Sequence, residues 1–350
     1  MREPSIHPTP RRYFLWGLWI AALAAFALML LMEVAVLLYL APKTITEIGS
    51  IQDPLYLLLP FPTTVASATG AWLSALFVSF AGAIIASAAY MLARGCKSLK
   101  LRKILKVSPH SPGALGMVCL AFLMLLIADL VYYALLGTIG VEPYQPPLGS
   151  YPAWELTYIF AKASVYEELV SRVLLIGVPL ALLSLARKRP RAWRLLLGRT
   201  ESIGRIEIVL GIGSAALFGI AHAQGWDWYK VPPAFLAGLF FSHLFLKHGL
   251  PSCIVLHFAI DFLGMVTTMM PEDLFALLGT SVLLIWFLAG FAYLLDLVVR
   301  WVVKRVELLR PPVHVTQSAL FTCPACGSHE AIYAEQKLIC TACGREYPQS

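Results

Sequence analysis

The chain has 350 residues, of which 59% are hydrophobic and 13% charged, about half the charged share of a soluble globular domain. That balance excludes an ordinary soluble enzyme and points to an all-α, polytopic membrane protein. The formal net charge of +7 does not indicate nucleic acid as a partner, because the basic residues fall in short clusters between apolar runs rather than along one face or arm.

Arg11 and Arg12 precede an apolar run from Phe14 to Leu40. The run is too long for the core of a secretory signal and lacks a small-residue cleavage site, so it is expected to be a retained first span. Seven more apolar segments follow, near 64–93, 113–139, 152–185, 206–224, 231–248, 250–270 and 273–303. Each is taken as long enough for a ~30 Å hydrocarbon core, which needs about 20 helical residues. The expectation is about eight transmembrane helices. The fifth and sixth are separated only by Ala223 to Lys230, and the sixth and seventh by little more than Gly249 ahead of Pro251, so both pairs should be antiparallel hairpins. Pro60, Pro62, Pro143, Pro146, Pro147 and Pro152 mark the connections on the other side, since proline does not continue a helix.

Lysine and arginine in short loops set orientation. They gather between Arg94 and Lys106, between Arg187 and Arg205, and between Arg300 and Arg310, while the opposite loops hold Glu47, Asp53, Glu142 and Asp227. Both termini are therefore expected in the cytosol. After Arg310 the composition turns polar, and Pro311-Pro312 begins a linker. The expected division is a transmembrane unit over 1–310, with its motifs over about 150–265, and a small module over 311–350.

Three spans carry polar groups that hydrocarbon cannot solvate, and such residues mark function by default. The fourth contains Glu167, Glu168 and Arg172; the last two, four apart, share a helix face and can pair. Glu167 is then the spare carboxylate. A structural ion-pair cluster would explain the group, but general-base chemistry is the alternative, a role that burial beside a like charge favours. The fifth span ends in Phe218-Gly-Ile-Ala-His222, and the seventh carries His257-Phe-Ala-Ile-Asp261, again at four-residue spacing. By span ends alone, His222, Glu167 and His257 sit at different depths.

Taken in order, Glu167-Glu168-x-x-x-Arg172, Phe218-x-x-x-His222 and His257-x-x-x-Asp261 resemble the three-motif signature of the CAAX protease and bacteriocin-processing (CPBP) family, which includes glutamic-type intramembrane proteases. The resemblance covers about 150–265 and implies a membrane endopeptidase with a water-filled cavity. It implies Glu167 as general base, His222 as a partner in holding the attacking water, and His257 with Asp261 at the developing oxyanion. Glu168, Arg172 and Phe218 would support them. The prenyl endoproteases have Asn where this chain has Asp261. An ionised Asp cannot donate to an oxyanion, so Asp261 is either protonated or, the preferred reading, orients His257.

Two other readings stay open. In one, His222, His257 and a glutamate hold a catalytic zinc ion; the metal-free mechanism is placed ahead of it. In the other, the protein is not an enzyme but a proton-coupled transporter or an immunity-type scaffold. The peptide or protein substrate could be prenylated, membrane-anchored or leader-bearing. His243, His248, Glu33, Lys162, Asp129, Asp296 and the stretch Trp226 to Tyr229 are assigned to no site, the last being read as an interfacial anchor before a substrate lip.

At the C-terminus Cys323-Pro-Ala-Cys326-Gly and Cys340-Thr-Ala-Cys343-Gly have the pattern of a structural zinc site. Gly327 and Gly344 supply the backbone freedom that a knuckle needs. The module resembles a zinc ribbon, with strands expected at Glu330–Tyr333 and Lys337–Ile339 and with metal supplying its folding energy. Protein docking is its main functional reading beside that of a passive folded end. Reduced thiols agree with a cytosolic location.

Overall fold

The computed structural model describes residues 10–58, 61–98, 113–269, 273, 279–309, 322–329, 331–334, 337–340 and 342–348. The basic residues from Lys100 to Lys106, Arg310, the Pro311-Pro312 linker, Pro60, Glu330 and Glu335 lie outside them. Contacts divide the chain into two compact units, Met1–Tyr293 and Leu294–Ser350.

The first unit is helical. Helices α1 (Pro10–Ile48), α2 (Gly70–Ser98) and α3 (Ala114–Thr138) precede α4, which runs from Ala153 to Ala186. Then come α5 (Arg205–Ala221), α6 (Val231–His248), α7 (Leu250–Met269) and α8 (Thr280–Leu309), the last of which continues past Tyr293 into the second unit. Six helices among the described residues are long and apolar enough to cross a membrane: Phe14–Ile48, Gly70–Gly95, Ala114–Thr138, Ala153–Ala186, Leu250–Met269 and Thr280–Val303. The chain is thus an all-α polytopic membrane protein.

Two of the eight expected spans are shorter than the rest. Helices α5 and α6 have 17 and 18 residues, roughly 26–27 Å at 1.5 Å per residue, at the lower end of the roughly 17–25 residues that a span takes. Pro232 and Pro233 fix the first turn of α6, and Gly249 at φ 90° ends it. The two short helices pair closely, as expected of a hairpin. A Cβ on Gly238 would fall 2.9 Å from the Cα of Ala215, so only glycine permits this approach.

One expectation needs correction, the start of the second span. Residues 64–69 are strand, not helix: β1 (Gln52–Leu58) and β2 (Pro62–Thr69) form an antiparallel hairpin, and α2 begins at Gly70, whose φ of 55° turns the chain. Thr63, Thr64 and Val65 are β-branched and suit a strand, but their apolar neighbours merged with the helix that follows. The register slips between Leu55 and Tyr56, which pair with Ala66 and Thr64, leaving Val65 as an extra residue. Such bulges re-aim side chains beside functional sites.

Helix α4 is unusual over the stretch that carries the charges. From Ala163 to Glu167 and from Leu169 to Gly177 its backbone bonds reach five residues back instead of four. Wide turns of this kind are rare and concentrate at functional sites.

In the second unit, β3 (Ala331–Ala334), β4 (Lys337–Cys340) and β5 (Glu346–Pro348) form an antiparallel sheet. Two knuckles present the cysteines: Gly327 N–H donates to Cys323 O at 2.9 Å and Gly344 N–H to Cys340 O at 2.8 Å. Both glycines have positive φ, 68° and 72°.

Candidate active site

The centre of the first unit is a buried ion pair. Arg172 Nε donates to Glu168 Oε2 at 3.2 Å, with both side chains fully enclosed. This is the pairing that the i, i+4 spacing predicts. The guanidinium also reaches α5 and α6: Nη1 donates to Ser214 Oγ at 2.6 Å and Ser242 Oγ at 3.3 Å. Those hydroxyls donate onward, Ser214 to Ser171 O and Ser242 to Gly238 O, at 2.6 and 2.8 Å. The pair therefore fastens α4 to the short hairpin.

The other oxygen of Glu168 holds His257. Oε1 accepts from Nδ1 of His257 on α7 at 2.9 Å. The carboxylate on Nδ1 is thus that of Glu168, whereas Asp261 Oδ2 stands 3.6 Å from Nε2. The ring is further fixed by stacking on Phe241, with centroids 5.0 Å apart and planes at 22°. On the Nε2 side, Glu167 Oε2 lies at 4.0 Å. Ser164 Oγ stands 3.4 Å from Asp261 Oδ2.

Phe218 ties these groups to His222. Its ring centroid lies 4.6 Å from that of His222 and 5.9 Å from that of His257, and the Arg172 guanidinium sits 5.1 Å from its face. His222 Nδ1 lies 2.8 Å from the Phe218 carbonyl. A carbonyl only accepts, so Nδ1 carries the proton and Nε2 is the free nitrogen.

The cavity assembles these groups. Glu167, His222, His257 and Asp261 line one cavity of about 340 Å³, with Phe218 in its wall. The different depths inferred from span ends do not keep them apart. A second cavity of about 230 Å³ shares Glu167, Phe218 and His222 and extends to Tyr56, Leu58 and Pro62 of the β-hairpin. Trp226 borders both, while Asp129 and Lys230 line the larger one. Neither His243 nor His248 lines either cavity.

Tyr56 is the residue that sequence reasoning missed. Its hydroxyl donates to Glu167 Oε1 at 3.1 Å. Tyr166 OH donates to the Tyr56 carbonyl at 2.7 Å, and Lys162 Nζ and Tyr158 OH both donate to Asp53 Oδ2, at 2.5 and 2.7 Å. These contacts clamp the hairpin to α4. Burial, and then the charge of Glu167, push the Tyr56 phenol far above its ordinary value, so it stays a proton donor. The bulge at this tyrosine was the available signal, but it follows from pairing that no single strand reveals.

Among the described residues, the group whose donor atoms gather closely enough to share a metal ion is Cys323, Cys326, Cys340 and Cys343, all within 4.8 Å of one another. Two sulfur pairs are 3.6 Å apart, near the roughly 3.8 Å that tetrahedral thiolates at ~2.3 Å from zinc require. The Tyr347 hydroxyl stands 3.1 Å from Cys323 Sγ. These four cysteines can hold a metal ion.

No curated protein and no solved structure matches the chain. Residues 149–263, which contain α4 through most of α7 and with them Glu167, Glu168, Arg172, His222, His257 and Asp261, match the family described as Type II CAAX prenyl endopeptidase Rce1-like.

Proposed function

We propose that this chain is an intramembrane endopeptidase that hydrolyses a peptide bond near the membrane with a glutamate-activated water. The observation that carries the reading is the single cavity in which Glu167 meets His222, His257 and Asp261, within a segment whose family is one of CAAX-type proteases. Water in that cavity would be held by Nε2 of His222 and lose a proton to Glu167 as it attacks the scissile carbonyl. His257, carrying a proton on Nε2 as well as Nδ1, would donate to the oxyanion. Glu168 fixes the ring and Arg172 balances Glu168, so the donor is aimed before charge develops. Glu167 then returns its proton to the leaving amine, giving one carboxylic acid and one amine from the amide and water.

In this scheme Glu168 rather than Asp261 orients His257. Asp261 steadies the Nε2 proton until the substrate carbonyl takes it. The donors of Tyr56 and Lys162 place the hairpin over the catalytic carboxylate. The four cysteines would hold structural zinc, which would supply folding energy to the small C-terminal sheet. We assign both termini and this module to the cytosol, from the lysine and arginine distribution.

The test uses purified full-length protein in detergent, offered prenylated and unprenylated C-terminal peptides and a membrane-anchored peptide, with products identified by mass spectrometry. Cleavage that vanishes in Glu167→Gln and His222→Ala supports the proposal and names the substrate class. Wild-type protein that cleaves none of these peptides, or cleavage that survives Glu167→Gln, would defeat it.

A further inference from the structure

The segment joining α4 to α5 forms a second, separate site. Beyond Ala186 the chain makes a short helical turn over Ala192–Leu197 and returns to α5 at Arg205. It borders an open cleft of about 710 Å³ that shares no residue with the two cavities around Glu167. Arg187, Arg189, Arg191, Arg194 and Arg199 all line this cleft, against only Glu201 and Glu207. No ion pair among the described residues involves any of the five arginines. Glu207 is already occupied, accepting from the Gly204 N–H at 2.9 Å.

A loop that served only to carry positive charge could splay these side chains into water. This one is held in place. Arg199 N–H and Thr200 N–H donate to the carbonyls of Phe245 and Leu246 at the end of α6, at 3.0 and 2.8 Å. Gly198, at φ 79°, lies so close to α6 that a Cβ there would meet the Phe245 carbonyl at 2.2 Å. Lys188, Arg191 and Arg199 adopt φ of 52°, 61° and 65°, the left-handed region that side chains avoid unless their surroundings enforce it. The backbone is thus fixed in a costly shape that brings five guanidinium groups to one cleft.

The surroundings indicate what such a cleft receives. It opens at the end of a membrane-length helix, where Leu182, Leu185, Trp193 and Leu197 are exposed. Exposed aliphatic side chains and a tryptophan at a span end belong at acyl-chain and headgroup level. Guanidinium forks match phosphate oxygens in pairs, and pockets of this size accept small-molecule headgroups. The geometry points to a binding site for the phosphate headgroup of an anionic phospholipid, whose chains run along the exposed leucines of α4. This site does not depend on the protease reading, and its test needs no proteolysis.

The experiment is native mass spectrometry of purified full-length protein with equal amounts of phosphatidylglycerol and phosphatidylcholine. Wild-type protein should retain one phosphatidylglycerol in preference to phosphatidylcholine. In the triple variant Arg187→Gln, Arg189→Gln, Arg194→Gln that preference should fall by roughly 10- to 100-fold, as expected when three cations leave a phosphate. All three side chains are exposed, Arg194 lying over the Trp193 ring at 5.8 Å, and the corresponding lysine variant should recover part of the preference. A control triple at Lys43, Arg300 and Arg305, none of which lines the cleft, should bind as wild type does. Equal retention by the wild type and the arginine triple would overturn the site. So would an equal loss in the control. Thermal stabilisation by inorganic phosphate, without preference for phosphatidylglycerol over phosphatidylcholine, would overturn the lipid assignment in favour of a soluble phosphoryl ligand.

Discussion

The Tyr56 hydroxyl meets Oε1 of Glu167 at 3.1 Å across 111 residues of sequence, so the hairpin that precedes the second span supplies a donor to the carboxylate of the fourth. That bond reserves one oxygen of Glu167 and leaves Oε2 on the side of His257 Nε2. The carboxylate is thereby oriented toward the nitrogen that the mechanism uses.

Tyr56→Phe should therefore lower kcat by about 10- to 100-fold, the range for losing one hydrogen bond to a charged group, with little change in KM. The phenol is raised by burial and then by Glu167, so it does not ionise in the neutral range. The variant's pH profile should consequently keep its basic limb up to about pH 9 while losing height. A basic limb that disappears in Tyr56→Phe would show that the phenol titrates in the working range and overturn this account.

The clamp behind Tyr56 gives a separate expectation. Lys162 Nζ reaches Asp53 Oδ2 at 2.5 Å and Pro54 O at 3.0 Å, which holds β1 on α4. Lys162→Met should release the hairpin and reduce activity about as much as Tyr56→Phe does. Because both act through one contact, the double variant should be no worse than the more damaging single one. Losses that multiply in the double-mutant cycle would separate the clamp from the catalytic bond.

These two relationships also mark the limit of what the residues alone reveal. The Glu168–Arg172 pair followed from four-residue spacing, and it was the resemblance of the three ordered motifs to the CAAX protease and bacteriocin-processing family that gathered Glu167, His222, His257 and Asp261 as one candidate set. The partner of His257 did not follow: Glu168 lies 89 residues away, whereas Asp261 was the neighbour that helical periodicity offered. The hairpin was hidden for a similar reason. Strand pairing between Gln52–Leu58 and Pro62–Thr69 is a relation between two segments, and hydropathy summed along one segment merged the second strand with α2. The segment expected at 231–248 is α6 itself, whereas α5 ends at Ala221 rather than at 224 because the residues that follow form a turn.

The buried pair should dominate stability. Arg172→Leu leaves the enclosed Glu168 carboxylate without its counter-charge, a loss of about 3–5 kcal/mol for a buried ion pair broken on one side. Thermal unfolding in detergent should fall clearly. Glu168→Gln keeps volume and hydrogen-bonding capacity, so it should unfold closer to wild type yet lose most activity, because His257 Nδ1 no longer meets a carboxylate. An inactive Arg172→Leu with unchanged unfolding temperature would reject the structural role given to the pair.

Metal removal distinguishes the two chemistries left open for the cavity. The four cysteines can hold a metal ion in the second unit, so chelation of the wild type could act through either unit and prove little. The informative protein is the full chain with Cys323→Ser and Cys326→Ser, which removes two of the four ligands and abolishes that site. Treated with chelator, it should retain peptide cleavage, since Glu167 and His222 activate water without a metal in the proposed mechanism. Wild-type protein under the same treatment should release about one zinc ion per chain, measured with a colorimetric indicator, and expose thiols to alkylation. Cleavage by the cysteine variant that chelator abolishes and added zinc restores would instead place a catalytic metal among His222, His257 and a glutamate.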